Sequence, residues 1–339
     1  MAAIKAALAT VVLALVILCA PQGSSLGDKN GIVPAVSADS ASAKPSVVIL
    51  GTATPGGGFP VYGEAVAKTI SEVDPSLDVQ PRNTKGSTEN VPLLEAGQLD
   101  LALVQGEVAH EALNGIGRPP ADLRILAAMY STPGMFIVRG DSPYRTIADL
   151  KGRPVAFGAR GSGLVILARY VLDGLGLDQT RDFQAILLDK AGDGPAMVLD
   201  GRAAALWGGG IGWPGFTTVA RGPAGARFIA PDADEIRRIE AKHPFLKTMA
   251  VPAGAYPGQR VAITSVGSWS FILARPSLPD TVAYRLARAL HLGQASLASR
   301  LPQAGETTLE NTVAAAPRLE LIQRGALQYL REIRLVKTP

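Results

Sequence analysis

The run Ser46-Val-Val-Ile-Leu-Gly51-Thr-Ala-Thr-Pro-Gly-Gly-Gly-Phe59-Pro60 decides the fold. The apolar, β-branched stretch Ser46 to Leu50 reads as a buried strand, and Gly51 to Pro60 as the loop that leaves it. Val66, Ile70 and Val73 then fall on one stripe of a helix. A short strand near Leu77 to Gln80 follows, with a polar loop Asn83 to Thr88, a helix ending at the turn Gly97, and a strand Leu99 to Val104. From Arg153 the same order returns: strand Pro154 to Phe157, glycine loop Gly158 to Gly163, and a helix with Leu164, Leu167, Val171 and Leu175 on one face. Strand Phe183 to Leu188, polar loop Asp189 to Gly194, a short helix to Asp200, turn Gly201 and strand Ala203 to Trp207 complete the second copy. The turn glycine follows the loop-opening glycine by 46 positions in the first copy (Gly51 to Gly97) and by 43 in the second (Gly158 to Gly201).

Strands alternating with helices predict an α/β chain of two lobes, each built on a mostly parallel sheet with helices on both faces. In such sheets ligands collect beyond the carboxyl ends of the strands, where both glycine loops fall. Each loop feeds a helix whose free amides and positive dipole end favour an anion. After Gly208 to Trp213 the pattern becomes irregular, and a polar helix Asp232 to Lys242 and the stretch Val251 to Gln259 come next. A strand Trp269 to Ala274 and two amphipathic helices, opening after Pro279 and near Pro317, close the chain. This order predicts a first lobe of residues 46–135 plus 263–339, with a second lobe, 136–262, inserted into it. The crossings are expected near Phe136 to Arg139 and Ala262 to Ala274, a pair of strands able to act as a hinge.

Composition agrees with that picture. A chain of 339 residues, 47% hydrophobic and 18% charged, is globular and long enough for two domains. Its 33 basic and 29 acidic residues form no basic run, which argues against a nucleic-acid partner. Lys5 precedes an uncharged aliphatic run, Ala6 to Ala20, that as a helix spans only about 22 Å. A bilayer core needs about 30 Å, so the layout is that of a secretory signal, residues 1–38, cut after Val36-Ser37-Ala38. A cut near Ala20, a lipid anchor on Cys19 and a retained membrane anchor are the alternatives; Leu18 argues against the lipid, whose processing prefers a small residue there. Residues 39–45 read as a flexible lead-in to an exported, periplasmic chain. Cys19 is the sole cysteine, which excludes an intramolecular disulfide and a cysteine zinc cluster.

Catalytic signatures are missing. Thr84-Lys85-Gly86-Ser87 lacks the glycine spacing of a phosphate loop, and Arg160 stands where a nucleophile elbow around Ser162 needs glycine. His110, His243 and His291 have no Cys or His at ligand spacing, and Asp232, Asp234 and Glu235 sit where acids suit a helix dipole. No catalytic residue, metal or cofactor is expected.

Gly51-Thr-Ala-Thr-Pro-Gly-Gly-Gly-Phe59, Gly86-Ser-Thr-Glu-Asn90 and Gln105-Gly-Glu-Val-Ala109 resemble the first lobe of the TAXI-type solute-binding proteins of TRAP transporters. Asp149-Leu-Lys-Gly-Arg-Pro-Val155, the loop Gly158 to Gly163 and Pro252-Ala-Gly-Ala-Tyr-Pro-Gly-Gln259 resemble that family's second lobe. The resemblance runs from about Val47 to the C-terminus; Phe59-Pro60-Val61, Ala203 or Ala204, and Gln323-Arg324 depart from the family's usual residues. It implies a type II-like periplasmic binding protein, its hinge strands between the lobes, that binds a small carboxylate (an amino acid such as glutamate, or a 2-oxo or dicarboxylic acid). It further implies delivery to an ion-gradient-driven TRAP membrane permease. A sensing adaptor for a signalling receptor and the binding protein of an ATP-driven importer are the alternatives. By position, Thr52, Thr54, Gly57 and Gly58 are expected to present donors from the first loop, with Ser87, Asn90 and Gln105 beside them. Ser162 and Gly163 would oppose them, Arg160 would be a counter-ion, and Trp207, Trp213 and Tyr256 would wall the cleft.

Overall fold

The computed structural model describes residues 45–337; the expected signal segment and nearly all of the lead-in lie outside them. The elements run β1 (Ser46–Gly51), α1 (Gly58–Val73), β2 (Leu77–Arg82), α2 (Ser87–Glu95), β3 (Leu101–Val104), α3 (Gly106–Asn114) and β4 (Arg124–Arg139). Next come β5 (Pro154–Ala159), α4 (Gly163–Gly174), β6 (Gln184–Leu188), α5 (Asp193–Leu199), β7 (Ala205–Gly209), α6 (Pro214–Ala220), β8 (Ala226–Ile229), α7 (Ala233–Lys242) and β9 (Lys247–Val251). The chain ends with β10 (Ile263–Ala274), α8 (Asp280–Leu292), α9 (Gln294–Arg300), α10 (Leu309–Ala315) and α11 (Arg324–Glu332).

The strands order as β2-β1-β3-β10-β4-β7-β5-β6, with β8 added on β4 and β9 on β10. Pairing is parallel within each repeated unit, β2-β1-β3 and β6-β5-β7, as strand-helix-strand connections require. It is antiparallel wherever β4 or β10 takes part. These two long strands join the halves of the sheet. β4 pairs with β10 from Arg124 to Pro133 and with β7 and β8 from Gly134 to Arg139.

Alternation along β4 sends its side chains to opposite faces, as the period of two demands. In the second half, Phe136 and Val138 pack with Phe157, Leu167 and Trp207, while Met135 and Ile137 pack with Leu206, Phe216 and Tyr256. In the first half, Leu50, Ile70, Leu286 and Leu330 fill one face, and Leu99, Val104, Ala128 and Phe271 the other. Each fully buried Leu, Ile, Val, Phe or Met among them contributes roughly 1.5–3 kcal/mol.

Several local readings change. The irregular stretch after Trp213 holds α6 and β8, and the last strand starts at Ile263 instead of Trp269. The helix expected near Pro317 opens at Arg324, where Gln323 caps it by accepting from Gly325 N and Ala326 N. Helices α9 and α10 were invisible to periodicity because seven residues make only two turns. Asp232 and Glu235 form a reciprocal capping box at the start of α7, the physical role of that acidic cluster.

Candidate functional site

The carboxyl ends of β1, β3 and β5 send their chains toward one place. The loop after β1, the Asn83 to Thr88 loop after β2 and the start of α3 come from the first half of the sheet. The loop after β5, the segment after β6 and Trp213 after β7 meet them from the second. Thr88 donates through its N–H (3.2 Å) and its hydroxyl (3.1 Å) to Gly161 O, and Ala191 N donates to Thr54 Oγ1 (3.2 Å). Gly86, at φ +119°, fits there because any Cβ would stand 2.7 Å from Gly161 O. These contacts close the loops over a cavity of about 50 Å³ whose floor is Thr132 and Tyr130 of β4. That is space for about four water-sized groups.

The wall is rich in neutral donors. Thr54 Oγ1, Ser87 Oγ and Ser162 Oγ accept from Ala191 N, Gln105 N (3.0 Å) and Leu164 N (3.1 Å) respectively, and none of these hydroxyls donates to a protein atom among the described residues. Tyr130, 5% exposed, borders the cavity with a hydroxyl that has no hydrogen-bond partner among the described residues. Burial holds that phenol in its protonated, donating form, raising its pKa, with Tyr62 and Glu306 adding to the rise. Thr132 is different, because its hydroxyl is already paired with Ser270 Oγ at 3.1 Å. Helices α1, α2 and α3 start at Gly57, Gly86 and Gln105 without a side-chain cap. The N–H groups of Gly58, Phe59, Ser87 and Gly163 find no acceptor among the described residues. Uncapped helix starts favour negative charge by about 0.3–1 kcal/mol each, and by more where water is excluded.

The wall carries no buried ionised side chain. Among the described residues no Asp or Glu borders the cavity. Lys85 does, but its side chain is 79% exposed and its ammonium lies 3.9 Å from Glu89. Behind the wall, Glu107 is fully buried and accepts from Ser268 Oγ at 2.6 Å. Desolvation pushes its carboxyl up to about 7, opposed mainly by the Ser268 bond. Glu107 Oε2 and Gln105 Nε2 are both without a hydrogen bond of normal length, the amide lying near enough only to oppose the rise.

Of the residues expected from sequence, Thr54, Gly57, Gly58, Ser87, Gln105, Ser162, Gly163 and Trp213 come together on the wall. Five others do not. Thr52 lies beneath its loop and donates to Arg82 O (3.1 Å), while Asn90 Nδ2 donates to Thr52 O and Leu103 O (2.8 Å each). Both are supports for the first loop. Arg160 turns outward, 68% exposed and 3.6 Å from Asp189. Trp207 is core, set against Phe136 at 4.7 Å, its Nε1 donating to Leu164 O at 2.9 Å. Tyr256 sits behind Trp213, accepting from Trp213 N (3.2 Å) and donating to Gly210 O. Tyr130, Thr132, Phe59, Ala191 and Gly209 were not foreseen on the wall. Tyr130-Ser131-Thr132, a polar trio inside an otherwise apolar strand, was the one available signal.

The histidines lie in packing contacts elsewhere: His110 stacks on Phe245 at 4.0 Å, His243 bonds Asp173, and His291 bonds Tyr329 OH. Among the described residues no group of three or more His, Cys, Asp or Glu side chains could hold a metal ion. Nor is any helix there long and apolar enough to cross a membrane.

Two half-sheets joined by a pair of long antiparallel strands, with loops meeting over a cleft, define the periplasmic binding protein fold. Two solved structures agree. A periplasmic transporter matches with a TM-score of 0.54 and 14% identity, over 86% of this chain and 98% of its own. The periplasmic binding protein BugD matches with a TM-score of 0.53 and 16% identity, over 85% and 95%. The aliphatic sulphonate binding protein SsuA from Escherichia coli gives 0.46 and 18%, over 87% and 90%. The model of the NMT1-like family matches residues 50–333, and the chain belongs to that family.

Proposed function

We propose that this chain is an extracytoplasmic solute receptor of the TAXI type, which takes a small carboxylate into the cavity between its half-sheets and delivers it to an ion-gradient-driven TRAP permease. One observation carries the reading: a cleft between the half-sheets lined by hydroxyl and amide donors that no acceptor among the described residues uses. Burying donors without partners is costly, roughly 1–3 kcal/mol each, and an anion removes that cost for several at once. The N-terminal address read in the sequence and the motif resemblance support export and the transporter class. β4 and β10, the connections between the halves, supply a hinge for opening and closing.

The test is a thermal-shift screen of carboxylates on the purified chain, followed by recovery of any hit from the complex. A receptor returns the solute unchanged and binds it one to one; a consumed solute would reveal an enzyme instead. Uptake into vesicles carrying a TRAP permease should then require an ion gradient and no ATP. Stabilisation by no carboxylate at all would end the receptor reading.

A further inference from the structure

The walls of the cavity are unequal in a way that bears on what they admit. Around Ser87, Ser162 and Gly163 they present hydroxyl and amide hydrogens. Around Phe59, Leu164 and Trp213 they present carbon, with Trp213 Cδ1 only 3.2 Å from where a Cβ on Gly58 would stand. At that second end the free polar atoms among the described residues are Tyr130 OH, 3.6 Å from the same point, and Trp213 Nε1, 3.7 Å from it, with the N–H groups of Gly58 and Phe59 beside them. An ammonium entering this space would meet no carboxylate, and burying a cation without an anionic partner is strongly unfavourable. A second carboxylate would meet neutral donors at the aromatic end and no buried cation, because the ammonium of Lys85, the basic residue on the wall, lies at the surface on the other side, beside Glu89. The cavity proper, about 50 Å³, suits a head group and a short body, and anything longer extends toward its open side.

We propose, resting on the receptor reading above, that the preferred solute is a compact monocarboxylate with neither an ammonium group nor a second charge. Its carboxylate sits on the hydroxyls and helix-start amides, and its body lies against the aromatic end, where the Tyr130 hydroxyl donates to it. Specificity in this cavity therefore comes from what the wall omits: no acid to receive an amino group and no buried cation to receive a second acid. Tyr130 acts as a specificity residue contributed by a hinge strand, so ligand contact and the connection between the halves share one element.

Calorimetric titration of the chain with acids that differ at one carbon tests this. Propionate, pyruvate and L-lactate are set against L-alanine, succinate and L-glutamate. At least one of the first three should bind 100-fold or more tightly than any of the second three. Tyr130→Phe should weaken the preferred acid at least tenfold while leaving the thermal midpoint of the free protein unchanged, since the lost hydroxyl has no protein partner. Equal or tighter binding of alanine, glutamate or succinate would overturn the proposal while leaving the carboxylate receptor in place. Binding of none of the six, together with a blank wider screen, would overturn both. An unchanged affinity in Tyr130→Phe would remove the hydroxyl from recognition and with it the assigned role of Tyr130.

Discussion

The two glycine loops look alike in sequence and are held by different physics. Under the first, the scaffold is polar: Asn90 ties Thr52 O to Leu103 O, Thr84 Oγ1 donates to Thr52 O at 3.1 Å, and Gln105 and Glu107 stand close behind. Under the second, the scaffold is aromatic, with Trp207 gripping Leu164 O and packing on Phe136. The helices differ in the same sense. α4 is capped by Ser162, whereas α1 starts at Gly57 with no side-chain cap and has Pro60, which has no N–H, as its third residue. The first loop therefore keeps amides for a ligand, and the second has spent one on its own cap. Repetition of a fold unit gave both halves the same frame, while the donors accumulated mainly on one side.

The largest test of this contrast is Trp207→Ala. It should cost about 3–5 kcal/mol, as other large-to-small core changes do, and chemical denaturation would measure it. A small loss of stability with a large loss of affinity would return Trp207 to the cleft and break the contrast.

Glu107→Gln probes the polar side. Burial raises the folded carboxyl from an ordinary 4.5 to about 7, so between those pH values the folded state keeps a proton that the unfolded chain releases. This group's contribution to stability therefore falls as pH rises through that window, by roughly 3 kcal/mol across it. In Glu107→Gln the fall should vanish, leaving a flatter profile of denaturation midpoint from pH 5 to 7. An unaltered slope would mean that the buried carboxyl titrates normally.

Gly163→Ala and Gly57→Ala compare the loops directly. A Cβ at Gly163 would lie 2.4 Å from Gln105 Cβ across the gap, whereas one at Gly57 would meet Thr54 O at 3.4 Å and Ala191 Cβ at 3.5 Å. Overpacking of that kind costs about 1–3 kcal/mol, so Gly163→Ala should weaken solute binding by about fivefold to 150-fold. Gly57→Ala should change it by less than about threefold. Titration with a bound solute would rank them, and the reverse order would show that the second loop does not close on Gln105.

Ser162→Ala removes the hydroxyl cap of the second loop's helix, a cap the first loop's helix lacks. It should lower stability by about 1 kcal/mol, seen as a drop in thermal midpoint. A stabilised variant would contradict the assignment of Ser162 Oγ as the cap of α4.

Much of this was legible before any coordinates. Alternation of apolar runs with glycine loops is a local signal, repeated at nearly the same spacing, so the α/β class, both βα loops and the wall residues Thr54, Gly57, Gly58, Ser87, Gln105, Ser162, Gly163 and Trp213 could be read from order alone. What order could not show was direction. Trp207 and Trp213 stand six positions apart in the same stretch, yet one faces a helix and the other the cavity. Arg160, lying between the cavity-lining Ala159 and Ser162, points to solvent. Tyr130 and Thr132 were hidden for the opposite reason, since a strand buried along its whole length gives no sign of which side chains meet a void instead of packed atoms.

Local pattern thus determined the elements and the edge of the sheet where a ligand belongs, because periodicity and turn chemistry act between residues close in the chain. The three-dimensional pairing of β4 and β10 decided the rest: which residues share the cavity, which donors are left over, and that no charged side chain is buried among them. Those are properties of contacts between distant segments such as Gly86 with Gly161 and Thr54 with Ala191, and no spacing along the chain encodes them.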